Sequence, residues 1–144
     1  MGAINGLSVG RSWTANMFTQ FGEFLIPTIT MFEIHATPVM DKSIAVDGNI
    51  RYVVIPSGFT GSIEADRSSD VIEQFWVNYE SAYYTGSNLL PSTITQTIQE
   101  PDGSVTQMIA RGVMFEAQDF GNWVGNNIIK QRLNFYASRW ENLQ

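Results

Sequence analysis

The stretch Gly58-Phe-Thr-Gly-Ser-Ile-Glu-Ala-Asp-Arg-Ser-Ser-Asp-Val-Ile-Glu-Gln-Phe-Trp-Val-Asn-Tyr-Glu-Ser-Ala-Tyr-Tyr84 decides the fold, because the hydrophobic period changes inside it. In Thr60 to Asp66, polar Thr60, Ser62, Glu64 and Asp66 alternate with Gly61, Ile63 and Ala65, the period of a strand with one solvated face. Ile72, Phe75, Trp76, Tyr79 and Tyr83 then recur at helical spacing and make one apolar stripe. Asp70 and Glu73 have the spacing of a capping box, the aspartate accepting from first-turn amides and the glutamate reaching back. Ser68 and Ser69 read as capping residues rather than nucleophiles, and Gly86 supplies the stop, so a helix is expected over 69–85. One helix with an aromatic underside needs a sheet beneath it.

Working outward, Ser43–Val46 and Asn49–Ile55 are β-prone runs separated by Asp47-Gly48, a strong hairpin signal, and the extended hairpin is expected over 39–57. Phe24–Thr37 reads as a strand with Pro27 and Pro38 at its ends or on an edge. Residues 1–22, with Trp13, Phe18 and Phe21, read as an irregular arm packed on its own domain or a neighbour. Beyond the helix, Ser92–Glu100 is a threonine-rich strand with Ile94 and Ile98 on one face and Thr93, Thr95, Thr97 and Gln99 on the other. Pro101-Asp-Gly-Ser104 reverses it into a long run, Ser104–Gln118, in which Gly112 suggests a bulge or kink. After a Gly- and Asn-rich connector comes a last strand, Ile128–Arg139. There Ile129, Leu133, Phe135 and Ala137 oppose Lys130, Arg132, Asn134 and Tyr136. The expectation is a single domain, 1–144, mainly β with one flanking α-helix: an antiparallel β-barrel or sandwich of six or seven strands.

Composition narrows the function. Charged residues are only 15% of the chain, and their place is taken by Thr, Ser, Asn, Gln and Gly, which cost less to bury between subunits. A net charge of −6 with two lysines argues against gripping phosphates, though not against a surface that nucleic acid passes without sticking. Without cysteine there is no disulfide framework and no thiolate metal site. The first residues lack a signal-peptide pattern, Gly6 breaks the myristoylation pattern, and no apolar run approaches the ~20 residues of a membrane span.

Catalytic groupings are scarce. His35 is the only histidine; with Glu33 to orient it, it offers a general base, against the plainer reading of a strand-face histidine with one hydrogen bond. No zinc, calcium-loop or nucleotide-binding spacing occurs, so no cofactor or metal is expected. The reading from another class is a small α+β ligand-binding or isomerase-like cup using His35, which requires a deep closed pocket beside that residue.

Several segments, in this order, resemble tail tube proteins of contractile-tailed bacteriophages. They are Gly58–Arg67, Glu80-Ser-Ala-Tyr-Tyr84, Ser92-Thr-Ile-Thr-Gln-Thr-Ile98, the Pro101-Asp-Gly-Ser-Val105 turn, Gly112-Val-Met-Phe115, Asp119-Phe-Gly121 and Lys130-Gln-Arg-Leu-Asn-Phe-Tyr-Ala-Ser-Arg139. The likeness covers roughly residues 40–140; Trp140 replaces an expected basic residue, and Phe120 is bulkier than the usual small residue. The resemblance implies a non-enzymatic structural subunit that forms hexameric rings, whose inner strands join into one barrel around a channel. The rings would stack inside a contractile sheath for genome ejection, in a virion tail made in the host cytoplasm. Implied partners are other copies of the chain, the tail sheath protein, the tape-measure protein, baseplate and terminator proteins, and genomic DNA passing without specific binding. Within the same class the resemblance also allows a baseplate tube initiator or a type VI secretion tube protein. It implies a ring-stacking role for the hairpin carrying Ile44, Asp47, Gly48, Asn49, Arg51 and Tyr52. It makes Thr60, Ser62, Glu64 and Asp66, together with Thr93, Thr95 and Thr97, candidate lumen residues. Lys130 and Arg132 would face inward or pair with carboxylates across a subunit boundary.

Overall fold

Strand and helix follow one another where the period changes. The computed structural model describes residues 13–24, 26 and 28–142. Among these, ten strands and one helix occur: β1 (Trp13–Thr19), β2 (Gly22–Phe24), β3 (Ile29–Ala36), β4 (Val39–Ile44), β5 (Ile50–Ile55), β6 (Phe59–Asp66), α1 (Val71–Tyr84), β7 (Ser92–Gln99), β8 (Val105–Asp119), β9 (Lys130–Ala137) and β10 (Arg139–Asn142). Eight strands form one antiparallel sheet in the order β2-β1-β7-β8-β9-β6-β3, with β10 alongside β8; β4 and β5 form a separate two-stranded sheet.

The long β8 links two halves. Its first part pairs with β7 and β10, its last part with β9. Between Ser92↔Val113 and Ile94↔Ala110 the register shifts by one residue at Arg111-Gly112, the bulge expected from the glycine. Gly112 has φ 67°, and a Cβ there would stand 2.5 Å from Ser138 Oγ, so only glycine fits. Beyond the bulge the sheet folds over itself. Trp13 of β1 lies 5.6 Å from Phe32 of β3, although these strands sit near opposite ends of the sheet order. The inner faces enclose a core of Met17, Ile63, Ile94, Val113, Leu133 and Phe135, each at most 1% exposed.

The expected irregular arm is corrected for its described part. Residues 1–12 lie outside the described residues, but Trp13–Thr19 is a strand paired with β2 and β7. Trp13, Ala15 and Met17 alternate with Thr14, Asn16 and Phe18; a small alanine inside and an exposed Phe18 hid the period. The single Phe24–Thr37 strand is corrected to β2 and β3, and its expected end at Pro27 lies outside the described residues. The final run continues past Arg139, as β10 extends the β9 register after Ser138.

Helix α1 buries Ile72, Phe75 and Tyr79. Phe75 meets Phe115 edge-on at 5.4 Å and Phe21 at 6.3 Å, so the helix covers aromatic side chains from β8 and the β1–β2 turn. Trp76 is half-buried and stacks on Tyr79, while Tyr83 is exposed, so the stripe is covered only in its first turns. Gly86 ends the helix at φ 81°, with Ser87 N donating to Ala82 O and Gly86 N to Tyr83 O, a Schellman closure. The capping box does not form. Asp70 makes no side-chain cap bond, and Glu73 turns to Arg67 Nε and Gln131 Nε2, both 2.6 Å away. A charge-assisted pair plus a buried amide outcompetes one solvent-accessible backbone N–H.

Candidate assembly interface

The hairpin of β4 and β5 stands off the main sheet, and every residue of both strands is exposed. Its register runs without interruption from Val39↔Ile55 to Ile44↔Ile50. At the tip Gly48 N donates to Ala45 O, Ala45 N to Asn49 O, and Asn49 N to Asp47 Oδ1, with Gly48 at φ 88°. This is a tight turn closed by a left-handed glycine. The other Asp-Gly turn repeats the arrangement at Glu100–Ser104, where the Ser104 hydroxyl and amide hold Asp102 below the usual carboxylate range.

Alternation gives the hairpin two unlike faces. Met40, Ile44, Ile50, Tyr52 and Val54 share one face with a single charge, Lys42; Asp41, Ser43 and Arg51 lie on the other with Val39, Val53 and Ile55. An isolated two-stranded hairpin is marginal in water, so this much exposed apolar side chain on one marks a surface that is covered in use. Of the residues expected at the hairpin, Ile44 and Tyr52 lie on the apolar face, Asp47, Gly48 and Asn49 at the tip, and Arg51 on the polar face. Met40, Ile50 and Val54, which complete the apolar face, were not singled out from sequence, although their alternation was visible.

The first candidate lumen row lies on the outer face of β6, within a polar ladder. Thr60, Ser62, Glu64 and Asp66 pair in register with Tyr136, Asn134, Arg132 and Lys130. Lys130 Nζ bonds Asp66 at 3.1 Å. Arg132 Nη2 donates to Ser62 Oγ at 3.0 Å and approaches Glu33 at 3.5 Å, while its Nε is buried without a partner. Both cations thus pair within the chain. The Ser62 hydroxyl, donating at 2.9 Å, holds the Glu33 carboxyl below its usual range, helped by His35 and Arg132 and opposed by partial burial.

The second row, Thr93, Thr95 and Thr97, lies on the outer face of β7, opposite core-facing Ile94. The sheet folds over between β7 and β6, and the two rows lie on the outer faces of its two halves. His35 pairs in register with Thr60 at the outer surface, its side chain 65% exposed and its Nε2 3.7 Å from Glu33. The depression beside it, about 290 Å³, is open to solvent and is not the closed pocket that a histidine-based cup requires. Among the described residues no group of three or more His, Cys, Asp or Glu side chains is arranged to hold a metal. Trp140 pairs in register with Ala110, packs on the core, and lines an open cleft of about 600 Å³ with Pro38, Val54 and Phe59 at the root of the hairpin.

Among the described residues, the four-stranded half made of Met114–Asp119, β9, β6 and β3 has no further strand laddered along either side. Among the described residues β3 pairs only with β6, and Met114–Asp119 pair only with β9. Edge strands with no further strand ladder among the described residues suit head-to-tail pairing between copies.

No family model matches the sequence, and no curated protein is similar to it. Solved structures are. A chain of the anti-feeding prophage cap (tube terminating cap) superposes with a TM-score of 0.67 at 11% identity, over 99% of this chain and 94% of that one. One from the sheath-tube complex of a PVC extracellular contractile injection system, in its extended state, gives 0.59 at 13% identity over 88% and 85%. The SPP1 tail tube gives 0.58 at 8% identity over 94% and 78%. The fold is that of tail tube proteins: mainly antiparallel β with one helix.

Proposed function

We propose that the chain is a non-enzymatic structural subunit of a tail tube, assembling as hexameric rings that stack around a channel inside a contractile sheath. The observation that carries the reading is a four-stranded half whose outer strands have no further strand ladder among the described residues, beside a protruding hairpin with an exposed apolar face. Edge pairing closes a ring, and the hairpin joins one ring to the next. In this arrangement the outer face of that half lines the channel with Thr60, Glu64 and Asp66; Ser62, expected there too, is only 2% exposed beneath Glu33 and Arg132, and Thr93, Thr95 and Thr97 lie elsewhere. Glu33, Glu64, Asp66 and Glu116 outnumber Lys130 and Arg132 there, and this acidic bias lets a nucleic acid pass without adhering. Sheath, tape-measure and baseplate proteins are the expected partners, the tail of a virion the expected place, and genome ejection the expected use.

Electron microscopy of the purified protein tests this. Rings or tubes with an axial channel are expected, and a strictly monomeric protein at high concentration would sink the proposal. A second reading, a ring at one end of the tube, is favoured by the likeness to chains from tube-cap and baseplate structures. It predicts single rings that do not elongate.

A further inference from the structure

We infer that the apolar face of the β4–β5 hairpin docks on the β8–β9 loop of a second copy of the chain; this rests on the tube reading and names its stacking contact. The two surfaces lie at opposite ends of the same strands. The hairpin leaves β3 at Ala36 and enters β6 at Phe59, which pairs with Ala137. The β8–β9 loop joins the other end, where Asp66 pairs with Lys130. Between them run the eight residues of β6, roughly 25 Å of strand. A protrusion at one end and a receptor at the other make a heterologous contact that repeats along an axis, which is what a stack requires.

The loop presents matching chemistry. Phe120, Trp123, Val124 and Ile128 are 38%, 63%, 50% and 69% exposed, an apolar shelf within one short connector. The shelf is held in shape: Gly121 N donates to Asp119, Asn127 N to Val124 O, and Gln131 Nε2 to Phe120 O, while the Arg67 guanidinium lies 5.0 Å over Trp123. Charge is complementary as well. Lys42, alone among apolar residues on the hairpin face, forms no ion pair among the described residues. Glu64 and Asp119 form none either; they share an open depression of about 350 Å³ beside the shelf with Lys130 and Arg132, cations already paired with Asp66 and Glu33. A cation centred in an apolar face therefore meets carboxylates next to an apolar shelf. Sheath-type partners fit less well, because they would leave the hairpin and shelf of each copy without this mutual cover.

The chain has no cysteine, so engineered pairs report contact without background. Ile50→Cys and Val124→Cys chains are mixed, allowed to assemble, and oxidised, with Val77→Cys on the exposed side of α1 as the control partner. A covalent dimer is expected with Val124→Cys and not with Val77→Cys. In a second arm, Val124→Glu is expected to abolish tubes while leaving the melting temperature unchanged. Tubes that form normally with Val124→Glu, or that give no Val124 cross-link, overturn the docking and leave the tube reading standing. A chain that never assembles overturns both.

Discussion

Gly61 sits where β6 runs beneath the Phe135 ring, and replacing it with alanine tests how tightly the four-stranded half is built. A Cβ at Gly61 would stand 2.2 Å from Glu33 O and 2.5 Å from Phe135 Cζ. The ring is the end of a side chain, but the carbonyl belongs to the ladder in which Ile34 faces Gly61. Restoring ordinary contact requires β3 to withdraw by about 1 Å, an overpacking strain near the upper end of the usual range, about 3 kcal/mol. For a chain of this size that lowers the melting temperature by about 6–12 °C. Thermal unfolding followed by circular dichroism reads it directly. The same substitution in a Phe135→Leu background separates the two obstacles, since most of the penalty persists if the carbonyl is decisive. A Gly61→Ala protein within about 2 °C of the parent would refute the reasoning; loss of the penalty in the Phe135→Leu background would move the blame to the ring. Because β3 carries Glu33 and His35 and, among the described residues, pairs with β6 alone, the strained variant is also expected to assemble poorly.

Shortening residues 44–52 should leave a folded subunit of unchanged melting temperature that forms no tubes, because the hairpin is its own two-stranded sheet; sedimentation and microscopy decide, and normal tubes would remove the stacking role. Gln131→Leu takes the donor from Glu73 and from the Phe120 carbonyl beneath the helix start, and should cost about 1–3 kcal/mol in chemical denaturation. The Arg67 and Gln131 hydrogen bonds hold the Glu73 carboxyl below its usual range, against partial burial. Its folded pKa being depressed, Glu73 contributes stability that is present above the ordinary carboxylate range and lost as pH falls through the lowered value. Glu73→Gln should therefore flatten the acid side of the stability–pH profile, and an unaltered profile would show that the pair contributes nothing.

Much of the fold was legible because it depends on neighbours in sequence. Strand alternation from Thr60 to Asp66, the helical stripe, the bulge at Gly112 and both Asp-Gly turns are local matters of period and φ. The first strand was missed because Ala15 and Phe18 blur its period, and the capping box failed because Glu73 found better partners across the fold. The hairpin was legible as a turn between β-prone runs, but its exposure was not, since the same Val and Ile pattern would serve a buried strand.

By itself, the sequence determined that this is a mainly β chain with one aromatic-lined helix, low in charge and poor in catalytic groupings. Those properties reside in residue types and short spacings. Only the tertiary structure decided which polar rows share a side. The sheet folds over and puts the Thr93 row and the Thr60 row on the outer faces of different halves, and no local pattern records how far a sheet folds back on itself. It also decided which strands lack a further ladder among the described residues and that hairpin and loop lie at opposite ends, because edges and ends exist only once strands are paired.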